Sequence, residues 1–336
     1  MWAAAEGHVD VVRRLIEAGA DVHVRLRSGF TATFFAVREG HTDVVKILLD
    51  SGVGVNDVLF RPEEFDTENE EGVSALLLAV ENGHFELAQS LLEAGADPND
   101  ERSGLTALHA ITRVRKTGRG DGSDGDPPPD GSGSLTSLEL VRSLVAHGAD
   151  VNRRLKNGKR GRGRLTRKGV TPFPMAAWTA DLPLLRTLLD LGADPLLPNV
   201  ENSTPLVAAA GMGTRAPGEE PGSESECLEV LRLLLELGSD VNVVDDSGET
   251  AMHGAAYKNA PRIVEFLAEC GARIDIWNRK NKHGWTPLII AEGFRPGNFK
   301  PSPPTVAAFY RVMPAAGVTP PKPTPRSAKK PTEYEG

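Results

Sequence analysis

Val230-Leu231-Arg232-Leu233-Leu234-Leu235, followed by Gly238-Ser239-Asp240, is one of seven versions of the same phrase. The others end in Gly19-Ala20-Asp21, Gly52-Val53-Gly54, Gly95-Ala96-Asp97, Gly148-Ala149-Asp150, Gly192-Ala193-Asp194 and Gly271-Ala272-Arg273. Successive glycines lie 33, 43, 53, 44, 46 and 33 residues apart, so the base period is 33, lengthened in the four middle intervals. A period of that size belongs to arrays whose units bury a core only against their neighbours. Within each phrase the apolar spacing, as in Val44-Val45-Lys46-Ile47-Leu48-Leu49, puts the apolar side chains on one side of a short helix. The glycine after it suits the left-handed backbone that closes a helix.

A second helix opens each period. Its starts read Thr106-Ala107-Leu108-His109, Thr171-Pro172-Phe173, Thr204-Pro205-Leu206, Thr250-Ala251-Met252-His253 and Thr286-Pro287-Leu288. The hydroxyls of Thr106, Thr171, Thr204, Thr250 and Thr286 are placed to accept unpaired first-turn N–H groups, and Pro suits the first helical position. Gly40-His41 or Gly83-His84 then separates the two helices. Together these residues resemble ankyrin repeats across residues 1–313, and they look like the bacterial type of array at Met252–Asn259 and Ala291–Lys300. The resemblance implies an all-α solenoid of seven to eight helix-turn-helix units with β-hairpin fingers. In that family the Thr-x-x-His histidine joins bonds that tie adjacent units, a role carried here to His109 and His253 only.

Insertions fall near 57–70, 115–135, 153–167 and 212–225. The first and third lengthen the fingers, and the other two split the helices of one unit at the opposite edge. Arg153–Lys168 holds nine bases and no acid, whereas the 57–71 stretch is acidic. The first helix lacks its Thr-Pro start, which reads either as part of a longer array or as a frayed end. Residues 314–336, rich in Pro and Lys without periodicity, read as an extended or disordered tail.

Several classes of function lose support. The formal net charge of −8 argues against general nucleic-acid affinity. No run of about 18 apolar residues exists to span a membrane. Cys227 and Cys270 lie in different units with no close pair. Gly120-x-Gly122-x-x-Gly125 sits before Pro127-Pro128-Pro129, where no helix can follow, so it is not a dinucleotide fingerprint. All eight histidines have addresses in the repeat, leaving none beside a nucleophile or in a metal-ligand pattern. The chain therefore reads as non-enzymatic, without cofactor or metal.

What remains is recognition of a protein partner. The resemblance implies a concave face lined by fingertips and first helices. On it the sequence places Arg38, Arg102, Arg113, Trp178, Tyr257, Lys258 and Trp285, with Arg160, Arg162 and Arg164 overhanging from the basic finger. Trp, Tyr and Arg dominate binding hot spots, and clustered guanidinium groups favour an acidic partner. The alternative is a recognition segment of a longer polypeptide whose remainder is an enzyme.

Overall fold

The computed structural model describes residues 1–60, 72–116, 129–156, 165–295 and 300–322. The interiors of the acidic and basic fingers, including Arg160, Arg162 and Arg164, and the Gly120–Gly125 stretch lie outside the described residues. The chain divides into two compact units, one of residues 1–115 with 128–155, the other of 116–127 with 156–336.

In the first unit, α1 (Trp2–Ala5), α3 (Ala32–Arg38), α5 (Ala75–Glu81) and α7 (Ala107–Arg115) are the first helices of successive layers. They alternate with α2 (Val9–Glu17), α4 (Thr42–Asp50), α6 (Phe85–Glu93) and α8 (Ser137–Ala146). First helices pack on first helices and second on second, α1 on α3 on α5 on α7, and α2 on α4 on α6 on α8. The acidic finger insertion leaves the stack through β1 (Val58–Leu59) and returns through β2 (Val73–Ser74), an antiparallel pair.

The second unit repeats the plan. Its first helices are α9 (Pro172–Trp178), α11 (Pro205–Ala209), α13 (Ala251–Lys258) and α16 (Pro287–Ala291). Its second helices are α10 (Leu182–Asp190), α12 (Glu224–Glu236), α14 (Pro261–Glu269) and α17 (Pro303–Ala315), stacked in that order. A short helix, α15 (Ile274–Trp277), occupies the base of the last finger, and the repeating pattern gives no sign of it. Trp277 there is buried against Phe309, ring centroids 5.7 Å apart. Eight helix pairs are thus present among the described residues, and each unit is all-α but for the one hairpin.

Helix starts follow two rules set by the residue three after the threonine. Where that residue is not His, the hydroxyl accepts its N–H, as Thr204 does from Val207 and Thr286 from Ile289, each at 3.4 Å. Where it is His, the hydroxyl bonds the ring instead, Thr106 to His109 Nδ1 at 2.7 Å and Thr250 to His253 Nδ1 at 3.0 Å. Thr171 departs from the expected capping role. Its third residue is Pro174, which has no N–H, and the buried Thr171 hydroxyl makes no cap bond. The end of the array also differs from expectation. The last helix runs to Ala315, and Tyr310 Oη donates to Pro321 O at 2.9 Å, so residues read as tail lie along α17.

Candidate protein-binding surface

Side chains that fix the layers have to be separated from those left to meet a partner. In the first unit the histidines of two Gly-His pairs, His41 and His84, are ties. His41 Nε2 donates to Ala5 O and His84 Nε2 to Arg38 O, each at 2.9 Å and each in the preceding layer. Ser132 donates to His84 Nδ1, which fixes the Nε2–H tautomer. The glycine of the earlier layer makes room for the ring: a Cβ on Gly40 would lie 2.5 Å from His84 Nδ1. The asparagine four residues after the signature glycine is a second tie. Asn56 donates to Gly95 O at 3.2 Å and accepts from Asp97 N at 2.8 Å. Asn99 does the same with Gly148 O and Asp150 N, at 2.7 and 2.8 Å. The sequence reading gave the tie to the Thr-x-x-His position and passed over this asparagine. Its recurrence at one phase of the period was the available signal.

The side chains of the first unit that remain on the finger and first-helix surface form an arginine–aromatic cluster. Phe30 on the finger and Phe35 on α3 are half-buried with centroids 4.8 Å apart. The Arg38 guanidinium lies over both, 5.4 and 5.3 Å from their centroids, and bonds Glu39 at 2.8 Å. A second pair bridges this finger and the next, with Arg25 donating to Val58 O and lying 5.2 Å from the centre of the exposed Phe60 ring. Arg113 is exposed on α7. Arg102 is engaged locally, clamping Asp100 and donating to Asn56 O at 3.0 Å. Although burial opposes ionisation of Asp100, its bonds from Arg102 prevail and hold its carboxyl below the usual range.

In the second unit the aromatic residues expected on the binding face are largely interior. Tyr257 is 1% exposed, and its hydroxyl donates to Glu249 Oε1 at 3.1 Å. Asn281 Nδ2 donates to the same oxygen at 2.8 Å. Trp285 is 8% exposed, with its backbone N–H on Asn281 Oδ1 and its ring stacked on His283. This corrects the placement of Tyr257 and Trp285 as surface anchors. The position favours a large side chain because it fills the seam between layers, and a buried hydroxyl has to find a partner there. Trp178 is half-buried beside Gly213 of the helix-splitting insertion. Lys258, also half-buried, donates to Pro221 O in that insertion at 3.1 Å. Arg295, which is 1% exposed, donates to Ala256 O and Tyr257 O at the end of α13. Burial lowers the Arg295 pKa to about 10.

The fingertips of the second unit are joined edge to edge. Val200 N donates to Lys168 O, Asp246 N to Glu201 O and Lys282 N to Ser247 O, at 2.9–3.2 Å. Asn199, Asp245 and Asn281 occupy one position of their fingers and accept two backbone N–H groups each. The exposed side chains of this platform include Val200, Asp246, Arg279, Lys280 and Lys282. Among the described residues no group of three His, Cys, Asp or Glu side chains could hold a metal ion, and no helix is long and apolar enough to cross a membrane.

The profile of the family described as ankyrin repeats (3 copies) matches residues 1–102, 55–116 and 223–297. Among curated proteins, E3 ubiquitin-protein ligase KEG of Arabidopsis thaliana is 31% identical over 150 residues, 43% of this chain and 8% of the ligase. The Saccharomyces cerevisiae protein described as "Probable 26S proteasome regulatory subunit p28" is 28% identical over 37% of this chain and 50% of its own length. Protein fem-1 homolog C of Xenopus laevis is 36% identical over 24% of this chain and 13% of its own length. The chain thus spans half or less of these relatives. All three are eukaryotic and give no support to a bacterial character. The crystal structure of the human ASB11 ankyrin repeat domain superposes with a TM-score of 0.52 at 22% identity, covering 75% of this chain and 89% of that one.

Proposed function

The chain belongs to the ankyrin repeat family, and from that premise we propose that it is a non-enzymatic recognition scaffold that binds a protein through its finger and first-helix surface. The observation carrying this reading is the Phe30–Phe35–Arg38 cluster, where two partly exposed rings are held under one guanidinium. An aromatic pair stiffened in this way loses little freedom on binding, and aromatic and arginine side chains supply most interface energy. Arg113, Arg102, Lys258 and half-buried Trp178 widen the surface within their own units. The run with Arg160, Arg162 and Arg164 favours a carboxylate-bearing partner, acting on encounter rate and salt response more than on final affinity. The likeness to a ligase sustains a second reading, in which this array is the recognition segment of a longer enzyme.

The test begins with a partner captured by the intact chain and measured by titration calorimetry. Phe30→Ala and Arg38→Ala should each weaken binding at least roughly thirtyfold, the scale of a hot spot. Arg232→Ala, on a second helix, should leave it unchanged. Full affinity in both cluster variants, with an unaltered circular dichroism spectrum, would discard the finger and first-helix assignment.

A further inference from the structure

Two departures from the repeat meet in the first unit. In α5, α7, α9, α11, α13 and α16 the residue two after the capping Ser or Thr is large and apolar. These are Leu76, Leu108, Phe173, Leu206, Met252 and Leu288, none above 2% exposed. In α3 the same position holds Thr33, 3% exposed, whose hydroxyl has no hydrogen-bond partner among the described residues. The second departure is Gly54. At its phase Asp21, Asp97, Asp150, Asp194 and Asp240 each accept the N–H two residues further on. A Cβ on Gly54 would lie 2.6 Å from Asp57 Oδ1, so the Asp57 carboxylate takes the space that a side chain at 54 would fill.

Both departures open onto one cavity of about 60 Å³. Thr33, Gly54 and Asp57 line it, and Val22, Leu49, Val53 and Val55 supply its apolar wall. Such a space takes about four waters, or one group of about four heavy atoms. We propose that it is a binding site for a primary carboxamide. The match lies in hydrogen-bond roles. The Asp57 carboxylate, which has no ion-pair partner among the described residues, accepts and so calls for a donor. The Thr33 hydroxyl has a proton to give to a carbonyl. A carboxamide carries NH₂ and C=O on one planar carbon, and its aliphatic stem suits the valine wall. The remaining polar lining does not compete for these roles: Thr31 caps α3, His23 is exposed, and Arg25 is engaged by Val58 O and the Phe60 ring. A buried hydroxyl where leucine would pack is costly to keep without a partner, and a bound carbonyl gives it one.

Methyl NMR of the full chain reads the site directly through Val53 and Val55. Acetamide should shift their resonances saturably, with a dissociation constant on the order of ten millimolar. Acetone lacks the donor and acetate is repelled by Asp57. Both have nearly the same shape as acetamide and should bind roughly tenfold more weakly. Thr33→Leu fills the space and should abolish the shifts. Thr33→Val keeps the shape without the hydroxyl and should weaken acetamide about fivefold. Circular dichroism checks that both variants keep their helices. No saturable shift in the parent, which would leave water alone in the cavity, overturns the proposal. So does an equal response to acetone, or acetamide binding undiminished in Thr33→Leu. The source of the group then follows from Thr33→Leu and a captured partner. Weaker binding assigns the carboxamide to an Asn or Gln of that partner, and unchanged binding assigns it to a small free amide.

Discussion

In the first unit the polar ties between layers repeat a rule, whereas in the second unit most of them are improvised. Gly-His and Asn ties recur at fixed phases through the first unit, at His41, His84, Asn56 and Asn99. In the second, Asn242 alone among the described residues keeps the asparagine tie, to Gly271 O and Arg273 N. The positions of the other consensus ties hold Leu196, Asp181, Ala260 and Ser302. Different residues serve in their place: fingertip bonds, the Glu249–Tyr257–Asn281 cluster, buried Arg295, and Glu224. The stacked apolar faces set the fold in both units. Polar ties then need only satisfy buried groups, and more than one set of residues does so.

The comparison is broken most severely at Gly40. Alanine there would put its Cβ 2.5 Å from His84 Nδ1 and 2.7 Å from Ser132 Oγ, at a backbone φ of +78° that L-residues avoid. Strain and the lost His84 tie together should cost about 3 kcal/mol. Hydrogen exchange should show the loss concentrated in α3 to α6, because a repeat array need not unfold as one. Uniform protection equal to the parent would mean that the ring has another place to go.

Next in size is the improvised cap on α14. Its N-cap residue is Ala260, which has no side-chain acceptor, and Glu224 of the neighbouring α12 supplies one, accepting from Arg262 N at 2.6 Å. A carboxylate at that end also faces the positive pole of the helix. Glu224→Ala should lower stability by about 1 kcal/mol, while Glu224→Gln should keep part of it. Equal loss in both variants would assign the effect to charge alone.

What the sequence made legible follows from what repeats. Apolar pairs such as Leu87 and Leu91 recur in every unit, so the period, both helices and the stacking order could be read. Thr171 was misread because capping depends on the next three residues, and Pro174 removes the donor. Tyr257 and Trp285 were misplaced because type and phase do not distinguish a ring projecting from a first helix from one lying in the seam. That depends on long-range partners such as Asn281. Of the Phe30–Phe35–Arg38 cluster the sequence places Arg38 on the binding face, while nothing in the repeat singles out Phe35. Cover of Trp178 and Lys258 by the insertion, at Gly213 and Pro221, has no periodic signature at all.

A consensus tie can also be written back into the second unit. Leu196 occupies the phase of Asn99 and Asn242, and its N–H bonds Asp194 Oδ1 as theirs bond Asp97 and Asp240. The backbone is already set, and Leu196 is 45% exposed, so little packing is lost. Leu196→Asn should reach Gly238 O and Asp240 N and add roughly 0.5–1 kcal/mol, read as a higher thermal midpoint. No gain would show that the fingertip bonds already hold this joint fully.

The smallest effect sharpens the comparison through pH. Asp245 stands where the neighbouring fingers have Asn199 and Asn281, and all three use one oxygen to accept two backbone N–H groups. Burial raises the Asp245 pKa, outweighing the bonds from Glu249 N, Ser203 and Ser247 N that favour the anion. A carboxyl whose folded pKa lies above its unfolded value binds more protons when folded. Its contribution is therefore most favourable at low pH and is lost as pH rises from the ordinary aspartate range through the folded value. Asp245→Asn keeps the two accepted bonds, lets its amide donate to Ser203, and removes that loss. It should stabilise the chain at pH 7 by up to about 1 kcal/mol, with the advantage over the parent shrinking as pH falls toward 4. If the gain were the same at both pH values, the carboxylate's burial would not be its source.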